Sequence, residues 1–118
     1  MELNKISDKL SVTGQVFPDQ VAALADAGFR AVICNRPDGE EAEQPEFAAI
    51  AAVAAENDLT AHYIPVQPGV MEQADVDAFA AALADAEGPV VAYCRTGNRS
   101  AGLWAAYQAQ QGTPKAVA

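Results

Sequence analysis

The sequence predicts an α/β domain with a mainly parallel sheet of four to five strands, flanked by helices. Three observations carry that expectation. Short apolar runs rich in β-branched residues alternate with Ala-rich stretches of helical spacing, in the order βαβαβαβα. Glycine and proline punctuate the joins between them. The 118 residues suit one domain, and a hydrophobic share of 51% is enough to fill its core. The domain is expected to span residues 1–118. Its last residues stop in mid-pattern, as in a shortened chain, a segment of a longer protein or a docking tail.

Taken in order, Leu10-Ser11-Val12-Thr13-Gly14 reads as a first strand at a sheet edge. Pro18 opens a helix with Val21, Leu24 and Ala25 inward, and Gly28 is placed to stop it. Phe29 to Cys34 is the second strand, ending in the turn-rich Asn35-Arg36-Pro37-Asp38-Gly39. Glu40, Glu41, Glu43 and Glu46 precede a helix from about Pro45 to Asn57, where negative charge favours a first turn. Thr60 to Val66 is the third strand, with the loop Gln67-Pro68-Gly69-Val70 behind it. Val76, Phe79 and Leu83 mark the inward face of the next helix, with Asp75 and Asp77 near its start. A buried strand, Pro89 to Tyr93, leads into Cys94, a polar loop and a final helix carrying Leu103, Trp104 and Tyr107. Gly112 is expected to stop that helix, and Thr113-Pro114 to begin another.

The chemistry concentrates between that last strand and its helix. Cys94 stands at the strand's carboxyl end, where open parallel sheets bind ligands. A loop closing onto a helix N-terminus points several backbone N–H groups into one concavity. A cysteine there is expected to have a lowered pKa. Gly97 permits the tight turn, Arg99 offers a planar fork to an oxyanion, and the Ser100 hydroxyl can donate to the sulfur or cap the helix. Cys94, Arg99 and Ser100 are the catalytic candidates, with Arg95, Thr96, Gly97 and Asn98 lining the loop. Right-handed crossovers bring the end of the second strand to the same edge. Asn35 and Arg36 therefore stand as a second wall, although ordinary turn chemistry also accounts for them. Cys34 reads as a small buried hydrophobe, or as a resolving thiol if its sulfur lies beside Cys94. His62, the single histidine, sits near the start of its strand and away from that edge.

Charge narrows the partners. A formal net charge of −9 argues against nucleic acid or an anionic membrane. No stretch has the length of a membrane span, no signal-peptide pattern opens the chain, and two unpaired cysteines fit a reducing, cytoplasmic setting. No metal-ligand spacing or cofactor motif is present.

Cys94 to Ser100 resembles two related loops. Cysteine-based tyrosine and dual-specificity phosphatases place five residues between Cys and Arg, and rhodanese-type sulfurtransferases place four. This chain has four. Ile33 to Asp38, Ile64-Pro65-Val66 and Tyr93 to Gly97 are similar to the bacterial β-lactamase-hydrolase-like protein, phosphatase-like domain family. That domain is found alone or fused to a metallo-β-lactamase-type sulfur dioxygenase. The resemblance implies a cysteine-phosphatase-like fold and a functional link to such a dioxygenase. Phosphatases of the resembling families carry an aspartate after the third strand to protonate the leaving oxygen, whereas this chain has Gln67 and Pro68. Glutamine cannot act as an acid, and general acid catalysis typically supplies about two to four powers of ten. The sequence therefore favours a rhodanese-like sulfurtransferase. Cys94 would take sulfane sulfur from thiosulfate or a persulfide and pass it to a glutathione-like thiol. A cysteine phosphatase is the alternative, and an anion-binding or redox-sensing domain a third reading.

Overall fold

The computed structural model describes residues 1–112, so the expected cap at Thr113-Pro114 lies outside the described residues. Five strands form one sheet: β1 (Asn4–Lys5), β2 (Leu10–Thr13), β3 (Ala31–Cys34), β4 (Thr60–Tyr63) and β5 (Val90–Tyr93). Their order across the sheet is β1-β2-β5-β3-β4. β2, β5, β3 and β4 run parallel, and β1 pairs antiparallel with β2. The helices are α1 (Val21–Asp26), entered through a 3₁₀ turn at Pro18–Gln20, then α2 (Phe47–Glu56), α3 (Gln73–Asp85) and α4 (Asn98–Gly112).

Side-chain alternation divides the core into two layers. Ala31 and Ile33 of β3, with Val90 and Ala92 of β5, pack among Val76, Phe79, Leu83 and Leu103 of α3 and α4. Val32, Cys34, Val91 and Tyr93 face the other way, onto Val21 and Leu24 of α1 and Ile50 and Ala54 of α2. Both faces of the central strands are thus apolar, which is why they read as unbroken hydrophobic runs. Trp104 and Tyr107, 5.5 Å apart between ring centroids, flank the α3–α4 layer as partly buried aromatics.

Three boundaries depart from the sequence expectation. β2 is not an edge strand, because Asn4 and Lys5 pair with Val12 and Ser11. A two-residue strand has no periodicity to reveal it. β4 ends at Tyr63 rather than Val66, since Pro65 has no N–H to continue a ladder. Looser pairing persists beyond it, with the Ile64 N–H donating to the Cys34 carbonyl and the Val66 N–H to that of Asn35. α2 begins at Phe47, and its first turn holds no acidic residue. The cap comes from farther away: Asp38 Oδ1 accepts the Phe47 N–H at 2.8 Å. The glutamates before α2 are consequently free for another task.

Candidate active site at the carboxyl edge of the sheet

β5 delivers Cys94 to the centre of the sheet's carboxyl edge, between the ends of β2 and β3. The chain then turns through Arg95, Thr96 and Gly97 into α4. Gly97 takes φ +95°, a conformation other residues rarely adopt, and a Cβ there would meet the Thr13 backbone at 3.4 Å. Across the same contact a Cβ on Gly14 would come within 2.9 Å of the Arg95 carbonyl oxygen. Two glycines therefore let the loop lie directly against the end of β2. Thr96 Oγ1 accepts the Asn98 N–H at 3.3 Å, tying off the start of α4.

This turn gathers amides around one sulfur. The Gly97 N–H donates to Cys94 Sγ at 3.0 Å. Burial alone would push the Cys94 thiol up; the backbone N–H groups of Ser100, Thr96, Arg99 and Gly97 outweigh it and hold the pKa below the ordinary thiol value. The expected lowered pKa thus has a definite origin in the loop and the first turn of α4. Cys94 itself is fully buried.

Arg99 lies over this site, and its guanidinium is engaged by a residue the sequence placed elsewhere. Nη1 donates to Glu40 Oε2 at 2.6 Å and to the Val66 carbonyl at 3.0 Å, while Nη2 donates to Glu40 Oε1 at 3.0 Å. Glu40 also accepts from Arg36 Nε at 3.0 Å. These two arginines hold the Glu40 carboxyl below its ordinary range, Arg99 contributing most. Of the acidic run, Glu43 and Glu46 are exposed, Glu46 at the N-cap of α2, but Glu40 is not a solvated helix cap. It is a carboxylate bridge between β3's loop and α4. Sequence reading missed it because Arg36 and Glu40, four residues apart, lie in irregular chain where that spacing carries no structural meaning.

The remaining candidates separate into loop and support. Arg36 is buried, and its other donors go to Gln15 Oε1 at 2.9 Å and Glu41 Oε1 at 2.5 Å. Its charge is spent internally, so it braces the wall instead of offering itself to a ligand. Asn35 is fully buried as well: Nδ2 donates to the Ile64 carbonyl at 2.9 Å, and Oδ1 accepts the Ser100 hydroxyl at 2.8 Å. Ser100 thus serves the sulfur through its amide, while its hydroxyl locks α4 to the end of β3. The two roles offered for that hydroxyl, donor to sulfur or helix cap, are both replaced by this link. Arg95 is exposed and reaches Glu41 at 3.4 Å. Thr96 and Asn98 stay on the rim.

His62 is the third of β4's four residues rather than near the strand's start, yet it and Cys34 both stand outside the Cys94 loop. His62 lines a cleft of about 260 Å³ with Arg30, Asp58 and Asp85, apart from the Cys94 loop. Cys34 donates to the Arg36 carbonyl at 3.2 Å and packs with Tyr93 in the α1–α2 layer, and burial pushes its thiol up. That hydrogen bond and that packing fit the reading of Cys34 as a small buried side chain. Asp75 closes a capping box with Glu72, and Asp77 accepts from Gln73 at 2.9 Å. Both are committed to the start of α3, so neither stands as a leaving-group acid.

Comparison with known proteins agrees with this architecture. A family model described as the beta-lactamase hydrolase-like protein, phosphatase-like domain matches residues 2–111. The chain is similar to the beta-lactamase hydrolase-like protein of Xylella fastidiosa (strain Temecula1 / ATCC 700964), with 35% identity over 115 residues, 98% of this chain and 27% of that protein. It therefore spans about a quarter of the length of the curated relatives it matches. Among solved structures it superposes on a candidate phosphatase of Neisseria meningitidis Z2491 with a TM-score of 0.83 and 37% identity, covering 93% of this chain and 78% of the other. P. aeruginosa TpbA shares the fold, with a TM-score of 0.68 and 23% identity over 94% of this chain and 65% of that one. A cysteine-phosphatase-like fold, a nucleophile-type loop and a family match over nearly every residue converge, and the chain belongs to the family of the beta-lactamase hydrolase-like protein, phosphatase-like domain.

Proposed function

We propose that the domain is a cysteine-dependent phosphatase for monoesters with acidic, aryl-type leaving groups. The carrying observation is the Cys94 sulfur facing backbone N–H groups of the loop and of the first turn of α4, which lower its pKa, beside the Arg99 guanidinium. The family assignment and the phosphatase-like neighbours favour phosphorus as the electrophile. In this reaction the Cys94 thiolate attacks phosphorus and the P–O bond to the leaving group breaks. The aryloxide departs and takes its proton from water. Water then hydrolyses the phosphocysteine to inorganic phosphate and restores the thiolate. The loop N–H groups and Arg99 bear the charge of the phosphoryl oxygens. The restriction to good leaving groups follows from Asp75 and Asp77 being held in the start of α3 and Glu40 being held ionised. An alkyl phosphate, whose alkoxide needs a proton, would turn over slowly by about two to four powers of ten.

A second reading rests on the loop itself. Four residues between Cys94 and Arg99, as in rhodanese-type enzymes, suit transfer of a single sulfur atom. There the thiolate attacks the sulfane sulfur of thiosulfate, sulfite leaves, and the Cys94 persulfide passes its outer sulfur to an acceptor thiol. No alkoxide needs protonation in that sequence. One experiment separates the two. The protein is incubated in parallel with an aryl phosphate and with thiosulfate, and phosphate release and intact mass are followed. Phosphate release that is lost in Cys94→Ser, without a stable sulfur adduct, is the expected result. A mass gain of one sulfur on Cys94 with no phosphate release overturns the phosphatase reading in favour of sulfur transfer.

A further inference from the structure

The Arg99 guanidinium has five N–H donors. Glu40 and the Val66 carbonyl take three of them, both on Nη1 and one on Nη2. The donors left are on Nε and Nη2, which share one edge of the planar group. That edge is a ready bidentate fork for an oxyanion. Cys94 is the other group the guanidinium addresses, and with Glu40 it keeps the Arg99 charge up. Glu40 is itself pinned through Arg36, whose side chain is only 4% exposed and is fixed further by Gln15 and Glu41. A rigid chain of contacts thus runs from β3's loop to the guanidinium. An arginine alone would rotate among many rotamers and lose side-chain entropy on binding an anion.

We propose that Glu40 is the positioning residue of the anion site, holding Arg99 end-on so that its side edge faces an oxyanion at Cys94. The proposal rests on the reading of Cys94 and Arg99 as a nucleophile beside an anion fork, which both reactions above share. It assigns the carboxylate a constructive role. The contrary possibility is a competitor, in which Glu40 occupies the place of the substrate anion and must be displaced. The donor count separates them, since a competitor would sit on the Nε–Nη2 edge, whereas Glu40 takes the Nη1–Nη2 end.

The test compares the rates at which Cys94 is alkylated by iodoacetate and by iodoacetamide. The first reagent is an anion and is guided by the fork; the second is neutral and reports the thiolate alone. The wild-type chain is expected to prefer iodoacetate, and Arg99→Ala to lose the preference. Glu40→Gln is expected to reduce it by about tenfold, the scale of one misplaced charge-assisted hydrogen bond, with a smaller change in the iodoacetamide rate. Glu40→Asp, which keeps the charge with a shorter reach, is expected to retain part of it. An unchanged preference in Glu40→Gln overturns the positioning role, and an increased one identifies Glu40 as a competitor. If the wild-type chain shows no preference, the anion-site reading itself fails and the proposal with it. Circular dichroism and the continued protection of Cys34 show that the variants remain folded.

Discussion

Cys94 and Cys34 leave neighbouring strands within one residue of the same register, yet their thiols meet opposite surroundings. Cys94 receives amides from the loop and α4, and its pKa falls. Cys34 faces the apolar α1–α2 layer, and its pKa rises. A limiting dose of iodoacetamide near neutral pH is therefore expected to modify the folded protein once, at Cys94, as read by peptide mapping. Preferential labelling of Cys34 would contradict this difference. Ser100 provides a second test. Its hydroxyl serves Asn35 and its amide serves the sulfur, so Ser100→Ala should cost about 1 kcal/mol of stability while the Cys94 pKa stays low. A thiol pKa restored to the ordinary value would return the hydroxyl to the catalytic group. At this scale the place of Cys94 and the amides around it were legible, because strand, Cys, Gly and helix follow a spacing with a mechanism. The partners of Asn35, Arg36 and Glu40 were not legible. They are fixed by contacts across 21 to 65 positions of chain or within irregular loops, where spacing holds no information.

The strand–loop–helix unit from β5 to α4 depends on how closely its loop lies against β2. Gly97→Ala forces a side chain into a positive-φ position and against the Thr13 backbone. It is expected to cost about 1–3 kcal/mol in urea unfolding and to raise the Cys94 pKa together with the loss. Stability lost with the thiol pKa unchanged would mean that the amide ring survives without that turn. Asn35→Ala removes the tie between β3, the segment after β4, and α4, leaving the Ile64 carbonyl and the Ser100 hydroxyl without it. A loss of about 1–3 kcal/mol is expected, the penalty for leaving such buried groups unpaired. The four parallel strands and the long helices were read correctly from hydrophobic runs and 3.6-residue spacing. Their ends were read less well, for two identifiable reasons. Pro65 stops β4 by lacking a donor, and Asp38 caps α2 from nine residues away, where a local capping pattern does not look.

The whole molecule sets the field in which the site works. At a net charge of −9, the chain repels an approaching anion at long range, while the buried contacts at Arg99 are screened far less. Raising ionic strength from low to moderate values should therefore increase kcat/KM for an anionic substrate; a steady fall with salt would mean that surface arginines do the steering. Acid should act through Glu40. Its folded pKa lies below its ordinary value of 4.5, so the stability it contributes is complete above that value and is lost as pH falls through the lowered one. Urea midpoints of the wild-type chain should drop across that window, and those of Glu40→Gln should lack this part of the drop. The α/β class and the parallel order of the strands came from composition and alternation together, and the fold neighbours bear them out. The choice between phosphorus and sulfur as electrophile did not come from them, because one amide ring and one guanidinium can receive either anion.

What all these scales share is a sulfur whose pKa the backbone lowers. The direct measurement is a difference titration of thiolate ultraviolet absorbance, wild-type chain minus Cys94→Ser, across the pH range in which the protein stays folded. The midpoint is expected below the ordinary thiol value of 9.0. A midpoint at or above that value would show that burial outweighs the amides, and would contradict the assignment of Cys94 as the nucleophile.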